Sequence, residues 1–242
     1  MSRFYVPPEC VAGGKIIIRG EELHHAKDVM RLAVGDGIVV FDGTGKEYHG
    51  VVLKVDKERM AVEIKKTVER KSEGCRLILV QALPKSDKMD LIVEKATELG
   101  VSTIIPITTE RTVVRPDAKK GSLKAERWKK IALVAAKQCG RTTIPEVMPI
   151  TGFEGSLKLL SGAEAKFIPC LYDDTRALKD VLKGLRVRSA AVFIGPEGDF
   201  TEKEISAAKD AGAIPVSLGQ EVLRSETAAI CALSVLNYEL RW

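Results

Sequence analysis

Three short segments hold the residues whose types and spacing could do chemistry. They are Leu171-Tyr172-Asp173-Asp174, Gly195-Pro196-Glu197-Gly198-Asp199-Phe200, and Leu218-Gly219-Gln220-Glu221-Val222-Leu223-Arg224-Ser225-Glu226-Thr227. Each follows an apolar, strand-like run, and α/β domains bind ligands at the C-terminal ends of their strands. None is a phosphate cradle: there is no G-x-x-x-x-G-K-[ST], and no G-x-G-x-x-G between a strand and a helix. Gly195, Gly198 and Gly219 instead let main chain come close to a flat, uncharged ring. Taken alone, Gly195–Gly198 is also an ordinary turn, and Arg224 with Glu226 is also an ordinary helix-start ion pair.

The elements that must position these segments follow from periodicity. Residues 1–70 read as short β-branched strands at Phe4–Val6, Lys15–Ile18, Gly37–Phe41, Tyr48–Val55 and Met60–Val68, with one helix over Glu21–Leu32. So many strands in so short a stretch suggest a small barrel. Arg70–Gly74 is a polar break, which places one domain at 1–72 and a second at 73–242.

Beyond the break the rhythm becomes α/β. Strands are expected at Leu77–Ala82, Thr103–Ile107, Lys166–Leu171, Ala190–Ile194 and Ile214–Leu218. Helices are expected at Asp87–Leu99, Ser122–Cys139 and Ser225–Leu240. Thr201 and Glu204 form a capping box that starts another helix. Alternating strands and helices imply a largely parallel sheet.

Charge is concentrated rather than extreme. The chain carries +5 overall, yet Thr108–Arg141 holds ten Lys or Arg against three acids. Localised positive charge is the footprint of a polyanion partner, and equally the mark of a solvated helix face. The five cysteines (Cys10, Cys75, Cys139, Cys170, Cys231) are scattered, and the histidines are only His24, His25 and His49. That usage fits reduced thiols and points to no metal site. The apolar runs are strand-sized and the N-terminal residues Met1–Tyr5 show no export signal, so a cytoplasmic protein without membrane contact is expected.

The order of motifs adds more than any one of them. Gly195-Pro196-Glu197-Gly198, then Leu218-Gly219, then Val222-Leu223-Arg224-Ser225-Glu226-Thr227-Ala228 resembles the C-terminal signature of the SPOUT methyltransferases. Within that superfamily the chain is similar to the small-subunit (16S) rRNA uridine-N3 methyltransferases. Pro84-Lys85, Asp87-Lys88-Met89-Asp90, Glu94–Gly100, Glu110-Arg111, Glu126-Arg127-Trp128, Gln138 and Gly140-Arg141 match that pattern too. So do Arg3, His25, Val29, Arg31 and Phe41-Asp42-Gly43. One departure is Asp199, where the family usually has glycine. If the position needs φ > 0, Asp tolerates it better than most residues.

The resemblance implies an N-terminal PUA-like β-barrel that binds RNA and a C-terminal α/β trefoil-knot methyltransferase domain. It also implies a homodimer, S-adenosylmethionine as cofactor, and 16S rRNA, in the assembled small subunit, as substrate. The cofactor pocket would use Leu171, Ile194, Gly195, Pro196, Glu197, Gly198, Leu218, Gly219, Leu223, Thr227 and Ala228. For Leu218, simple core packing is a second reading. Arg224 would stabilise the uracil anion formed as the imide proton leaves, with Glu226 or Glu197 accepting that proton or holding the arginine. Arg3, Arg31, Arg111, Arg115 and Arg141 would hold RNA phosphates. His25 either joins them or lies on the buried face of its helix. Two alternatives stand beside this reading: a related enzyme acting on tRNA or a ribose hydroxyl, and a non-catalytic RNA-binding ribosome-assembly protein.

Overall fold

The computed structural model describes residues 3–70, 74–172 and 174–241. Met1, Ser2, residues 71–73 of the polar break, Asp173 of the first candidate segment and Trp242 lie outside them. The chain divides into two compact units, 1–72 with 136–144, and 73–135 with 145–242.

The first unit is a six-stranded sheet of order β1-β4-β5-β6-β3-β2. Its strands are β1 (Arg3–Tyr5), β2 (Val11–Ala12), β3 (Lys15–Ile18), β4 (Gly37–Phe41), β5 (Lys46–Val55) and β6 (Met60–Glu69). All neighbours are antiparallel except β1 and β4. Phe4, Ile16, Ile18, Ile38, Val40, Val52, Met60 and Val62 alternate inward to make its core. Residues 136–144, expected with the second unit because they follow the polar break, pack here: the Gly45 N–H donates to the Thr142 carbonyl at 3.0 Å, and Thr44 bridges Thr143.

The expected helix over Glu21–Leu32 is shorter. Helix α1 (Gly20–His24) runs into a single π turn at His25–Val29, and Arg31 then takes φ 53°, which ends the winding.

The second unit is a fully parallel sheet of order β10-β8-β7-β13-β11-β14-β12, with β9 beside β8. In chain order the elements are β7 (Arg76–Ala82), α2 (Lys88–Glu98), β8 (Thr103–Thr108), α3 (Ala118–Cys139), β9 (Glu146–Val147), β10 (Thr151–Gly152) and α4 (Phe153–Leu159). Then come β11 (Ala165–Pro169), β12 (Arg176–Ala177), α5 (Leu178–Leu182), β13 (Ser189–Ile194), α6 (Glu202–Asp210), β14 (Ile214–Ser217) and α7 (Ser225–Arg241).

Side chains of alternating direction feed two cores, as a sheet covered on both faces requires. Leu77, Leu79, Phe167, Ala190, Val192 and Val216 pack with Met89, Ile92 and Val93 of α2 and with Ala229, Leu233 and Leu236 of α7. Val80, Ile105, Ile107, Ile168, Ala191 and Phe193 pack with Phe153, Phe200 and Ile205.

Two boundaries differ from expectation for local reasons. Helix α3 starts at Ala118, four residues early, because the Asp117 carboxylate accepts the Lys120 N–H at 2.8 Å. Strand β11 stops at Pro169 rather than Leu171, and the Leu171 N–H turns instead to the Asp199 carboxylate at 2.9 Å. Helix α6 begins as the capping box dictates, with Thr201 and Glu204 bonded reciprocally. Among the described residues no helix is long and apolar enough to cross a membrane.

Candidate functional site

Strands β13, β11 and β14 are neighbours running in one direction, so their C-terminal ends open at one edge of the sheet. The three candidate segments leave from those ends and enclose a cavity of about 260 Å³. Leu171, Ile194, Gly195, Pro196, Glu197, Leu218, Gly219, Leu223 and Ala228, expected at the cofactor pocket, line it together with Arg224. Gly198, Thr227 and Glu226 do not. The lining also includes Pro169, Cys170, Asp199, Val216, Ser217, Glu221, Val222 and Ser225, which the motifs did not single out for it.

Backbone conformation explains two of the glycines. Gly219 has φ 150°, where a side chain would be strained, and its N–H and carbonyl fold back onto the Ser217 hydroxyl. At Gly195 a Cβ would press on the Asp199 carboxylate at 3.2 Å and on the Phe200 ring at 3.3 Å. Glycine is therefore what lets the 195–200 loop close on itself.

A buried hydrogen-bond chain braces the floor. The Ser225 hydroxyl, at the start of α7, donates to the Gly195 carbonyl at 2.7 Å and accepts from Gln81 Nε2 at 3.0 Å. The same Nε2 donates to the Ala82 carbonyl at 2.9 Å. Gln81 is fully buried and pairs with Ile194 in the sheet register, so α7 is tied to the ends of two central strands. The sequence signal was present: a glutamine inside the run Leu77–Ala82 is a buried polar group that must find partners.

The charged groups form one cluster. Lys88, in the first turn of α2, places its ammonium 3.2 Å from the Glu226 carboxylate and 3.8 Å from that of Glu197. The Lys85 N–H donates to Glu197 at 3.0 Å. Burial on its own would raise the Glu226 carboxyl. Its own backbone N–H, the Lys88 ammonium and the nearby Arg224 guanidinium outweigh that and hold it below the ordinary carboxylate range. Lys88 belongs to the quoted Asp87–Asp90 motif, yet sequence reasoning gave it no role. Burial pushes the Cys170 thiol up, so at neutral pH that side chain is uncharged.

The arginines chosen as RNA contacts meet different fates. Arg31 is exposed. The Arg141 carbonyl accepts from Arg3 at 2.7 Å, while its own side chain donates to the Thr143 hydroxyl at 3.2 Å. Arg111 lies against the cavity loop and donates to the Gly198 carbonyl at 2.7 Å and to that of Phe200 at 3.2 Å. Arg115 bonds the carbonyls of Thr109, Glu110 and Thr112. In this structure both of these side chains brace loops. The charge count could not reveal that backbone carbonyls take up their donors.

Arg3 is likewise engaged within the protein. Its side chain is largely buried, ion-paired with the equally buried Glu47 and stacked 4.7 Å from the Phe41 ring centre. Burial would raise the Glu47 carboxyl, but Arg3 and Arg70 together with a bond to His49 lower it. Arg3→Ala is therefore expected to destabilise the first unit by about 3 kcal/mol at neutral pH, because it leaves a buried carboxylate with only Arg70 and His49 beside it. Since the folded carboxyl is depressed, that stabilisation is present above the ordinary carboxylate range and lost as pH falls below it. Urea melts of the two proteins at pH 7 and at acid pH check this; equal midpoints at pH 7 would return Arg3 to the RNA surface. His25 packs its ring on Phe4, centroids 5.6 Å apart, with Nδ1 buried and unbonded. Of its two readings, the geometry favours the buried face.

The family of RNA methyltransferase domains matches residues 71–237, and that of RNA methyltransferase PUA domains matches residues 18–65. A Bacillus subtilis protein named ribosomal RNA small subunit methyltransferase E is 33% identical over 92% of this chain and 89% of its own. The Synechocystis protein of that name is 32% identical over 97% of this chain and 77% of its own. Among solved structures, the methyltransferase E of Neisseria gonorrhoeae bound to S-adenosyl methionine aligns with a TM-score of 0.86 at 30% identity. That alignment covers 98% of this chain and 97% of the other. With sequence and fold matching over nearly its whole length, the chain belongs to the ribosomal RNA small subunit methyltransferase E family.

Proposed function

We propose that the protein transfers the methyl group of S-adenosylmethionine to N3 of a uridine in 16S rRNA, acting on the small ribosomal subunit. The observation that carries this is the cavity at the ends of β11, β13 and β14, with Arg224 on its wall and an ordered carboxylate cluster beside it. Its residues fit the cofactor. Ile194, Pro196, Leu218, Leu223 and Ala228 give a flat nucleoside apolar walls, and the loops at Gly195 and Gly219 bring polar main chain close. The solved relatives from Neisseria gonorrhoeae and Legionella pneumophila hold that same compound. When bound, it supplies an activated methyl on a sulfonium.

The chain's own residues then have alignment and charge to provide. Arg224 would meet the carbonyl oxygens that flank N3 and stabilise the anion left as the imide proton departs. Glu226, held ionised by Lys88, is a weak base and serves better to orient Arg224. Glu197 reaches the cavity wall and is the candidate to accept the proton.

The finer architecture belongs to the same reading. The tie between Ser225 and Gly195 draws the start of α7 against the loop after β13, an arrangement suited to a trefoil knot. The six-stranded sheet of residues 3–69 suits a PUA-like barrel. Binding RNA through that unit, with Arg31 as an exposed contact, and pairing of two chains complete the proposal.

Mapping of 16S rRNA methylation in cells with and without the gene tests it. One uridine should lose a base methyl group on deletion and regain it when purified protein, S-adenosylmethionine and small subunits are combined. Methyl transfer to a ribose hydroxyl, or to tRNA alone, would replace this proposal.

A further inference from the structure

Asp199 has no part in the mechanism above, yet it lies on the cavity wall. Its backbone takes φ 60°, and its carboxylate reaches in two directions. One oxygen accepts the Phe200 N–H at 2.8 Å, and the other accepts the Leu171 N–H at 2.9 Å. The side chain thus ties the loop after β13 to the loop after β11. Both partners are neutral, and among the described residues no ammonium or guanidinium forms an ion pair with it. Glycine, which the family resemblance leads one to expect here, would take the same φ freely and bring no charge.

The charge balance of the cavity gives this carboxylate a consequence. Glu197, Asp199 and Glu221 face it against the single guanidinium of Arg224. Glu197 shares the Lys88 ammonium, and the Arg111 guanidinium beside the loop is taken up by the carbonyls of Gly198 and Phe200, so Asp199 is a carboxylate held in a fixed place with no ion-pair partner of its own among the described residues. We propose that Asp199 discriminates by charge between methyl donor and demethylated product, favouring the sulfonium and easing release of the neutral thioether. The inference rests on the cofactor reading above. Methyl transfer moves CH₃⁺ from sulfur to the ring nitrogen, which has lost its proton. The donor thereby loses one positive charge and is otherwise unchanged. A fixed carboxylate in partly hydrated surroundings would favour the charged form about three- to tenfold if the sulfonium binds within several ångströms of it.

Calorimetry on the full chain separates the outcomes, with S-adenosylmethionine and S-adenosylhomocysteine as paired ligands. Asp199→Asn keeps the shape, tolerates the positive φ and can still accept one of the two N–H bonds. It should weaken donor binding about three- to tenfold, leave product binding nearly unchanged, and lose this difference in 1 M salt. Asp199→Gly, which takes the backbone conformation without strain, should shift the donor-to-product ratio in the same direction. Equal weakening of both ligands would show that Asp199 only props the Leu171 loop, and an unchanged ratio would likewise overturn the proposal. If the wild-type chain bound neither ligand, the cofactor reading itself would be wrong.

Discussion

Arg224→Ala should slow single-turnover methylation by about 10²–10³-fold while leaving RNA affinity nearly intact. The expectation comes from where the guanidinium stands. Arg224 is the residue before α7, and its carbonyl accepts the Ala228 N–H at 2.8 Å, so its backbone is fixed by the helix it precedes. The side chain is exposed on the cavity wall and stands outside the ion pairs that join Lys88 to Glu197 and Glu226. It is thus positioned without being consumed by a protein partner.

A neutral uracil offers such a group only an ordinary hydrogen bond. An N3 anion offers a charge-assisted one, so most of the interaction exists only once the proton has left. Raising pH increases the anion without help from the enzyme, and it should partly restore the Arg224→Ala rate. Arg31→Ala is the contrasting variant: it should weaken RNA binding and make its salt dependence shallower, with no rescue by pH. Rapid-quench rates and filter binding across pH distinguish the two. If Arg224→Ala lost RNA affinity alone, with the bound-state rate and its pH profile unchanged, Arg224 would be an RNA contact.

Much of this site was legible in the sequence because its information is local. Gly195, Gly219 and the Thr201–Glu204 capping box announce backbone geometry that the structure contains, and apolar periodicity placed the strands that end at the cavity. The family signature also placed Arg224 and Leu223 on the lining. What it could not convey was partnership across the chain. Lys88 and Glu226 lie more than a hundred residues apart, and only the folded sheet brings α2 and α7 together. Arg111 looked like a free cation because the Gly198 and Phe200 carbonyls that receive it are 87 and 89 residues away. Arg3 reads as a basic terminal residue until Glu47 closes over it. The grouping of residues 136–144 with the first unit was hidden for a similar reason, since α3 continues unbroken through Ala136.

Lys88→Met should lower the methylation rate by about 10–100-fold and move the acid limb of the pH–rate profile upward. In the wild type the ammonium is near both carboxylates and helps hold Glu226 ionised below the ordinary range. Methionine fills similar space and removes that charge. Glu226 then keeps its burial, which raises its pKa, against support from its own N–H and Arg224 alone. Glu197 and Glu226 are left to compete for Arg224 with no cation between them, and a guanidinium drawn toward the carboxylates is lost to the substrate. A hydrogen bond to a charged group contributes about 1.5–3 kcal/mol, which corresponds to the stated loss of rate.

The stability consequence has a definite sign. A depressed carboxyl contributes stability above its unfolded pKa, and that contribution disappears as pH falls through the folded value. The wild type should therefore exceed Lys88→Met in stability at pH 7, and the gap should close on acidification below the ordinary carboxylate range. Lys88→Arg keeps the charge and should restore both rate and profile in large part. A loss of rate that is equal at every pH, not recovered by Lys88→Arg, would make Lys88 a packing element of α2. Recovery by arginine together with a moved acid limb would assign it to the electrostatics that keep Arg224 aimed at the base.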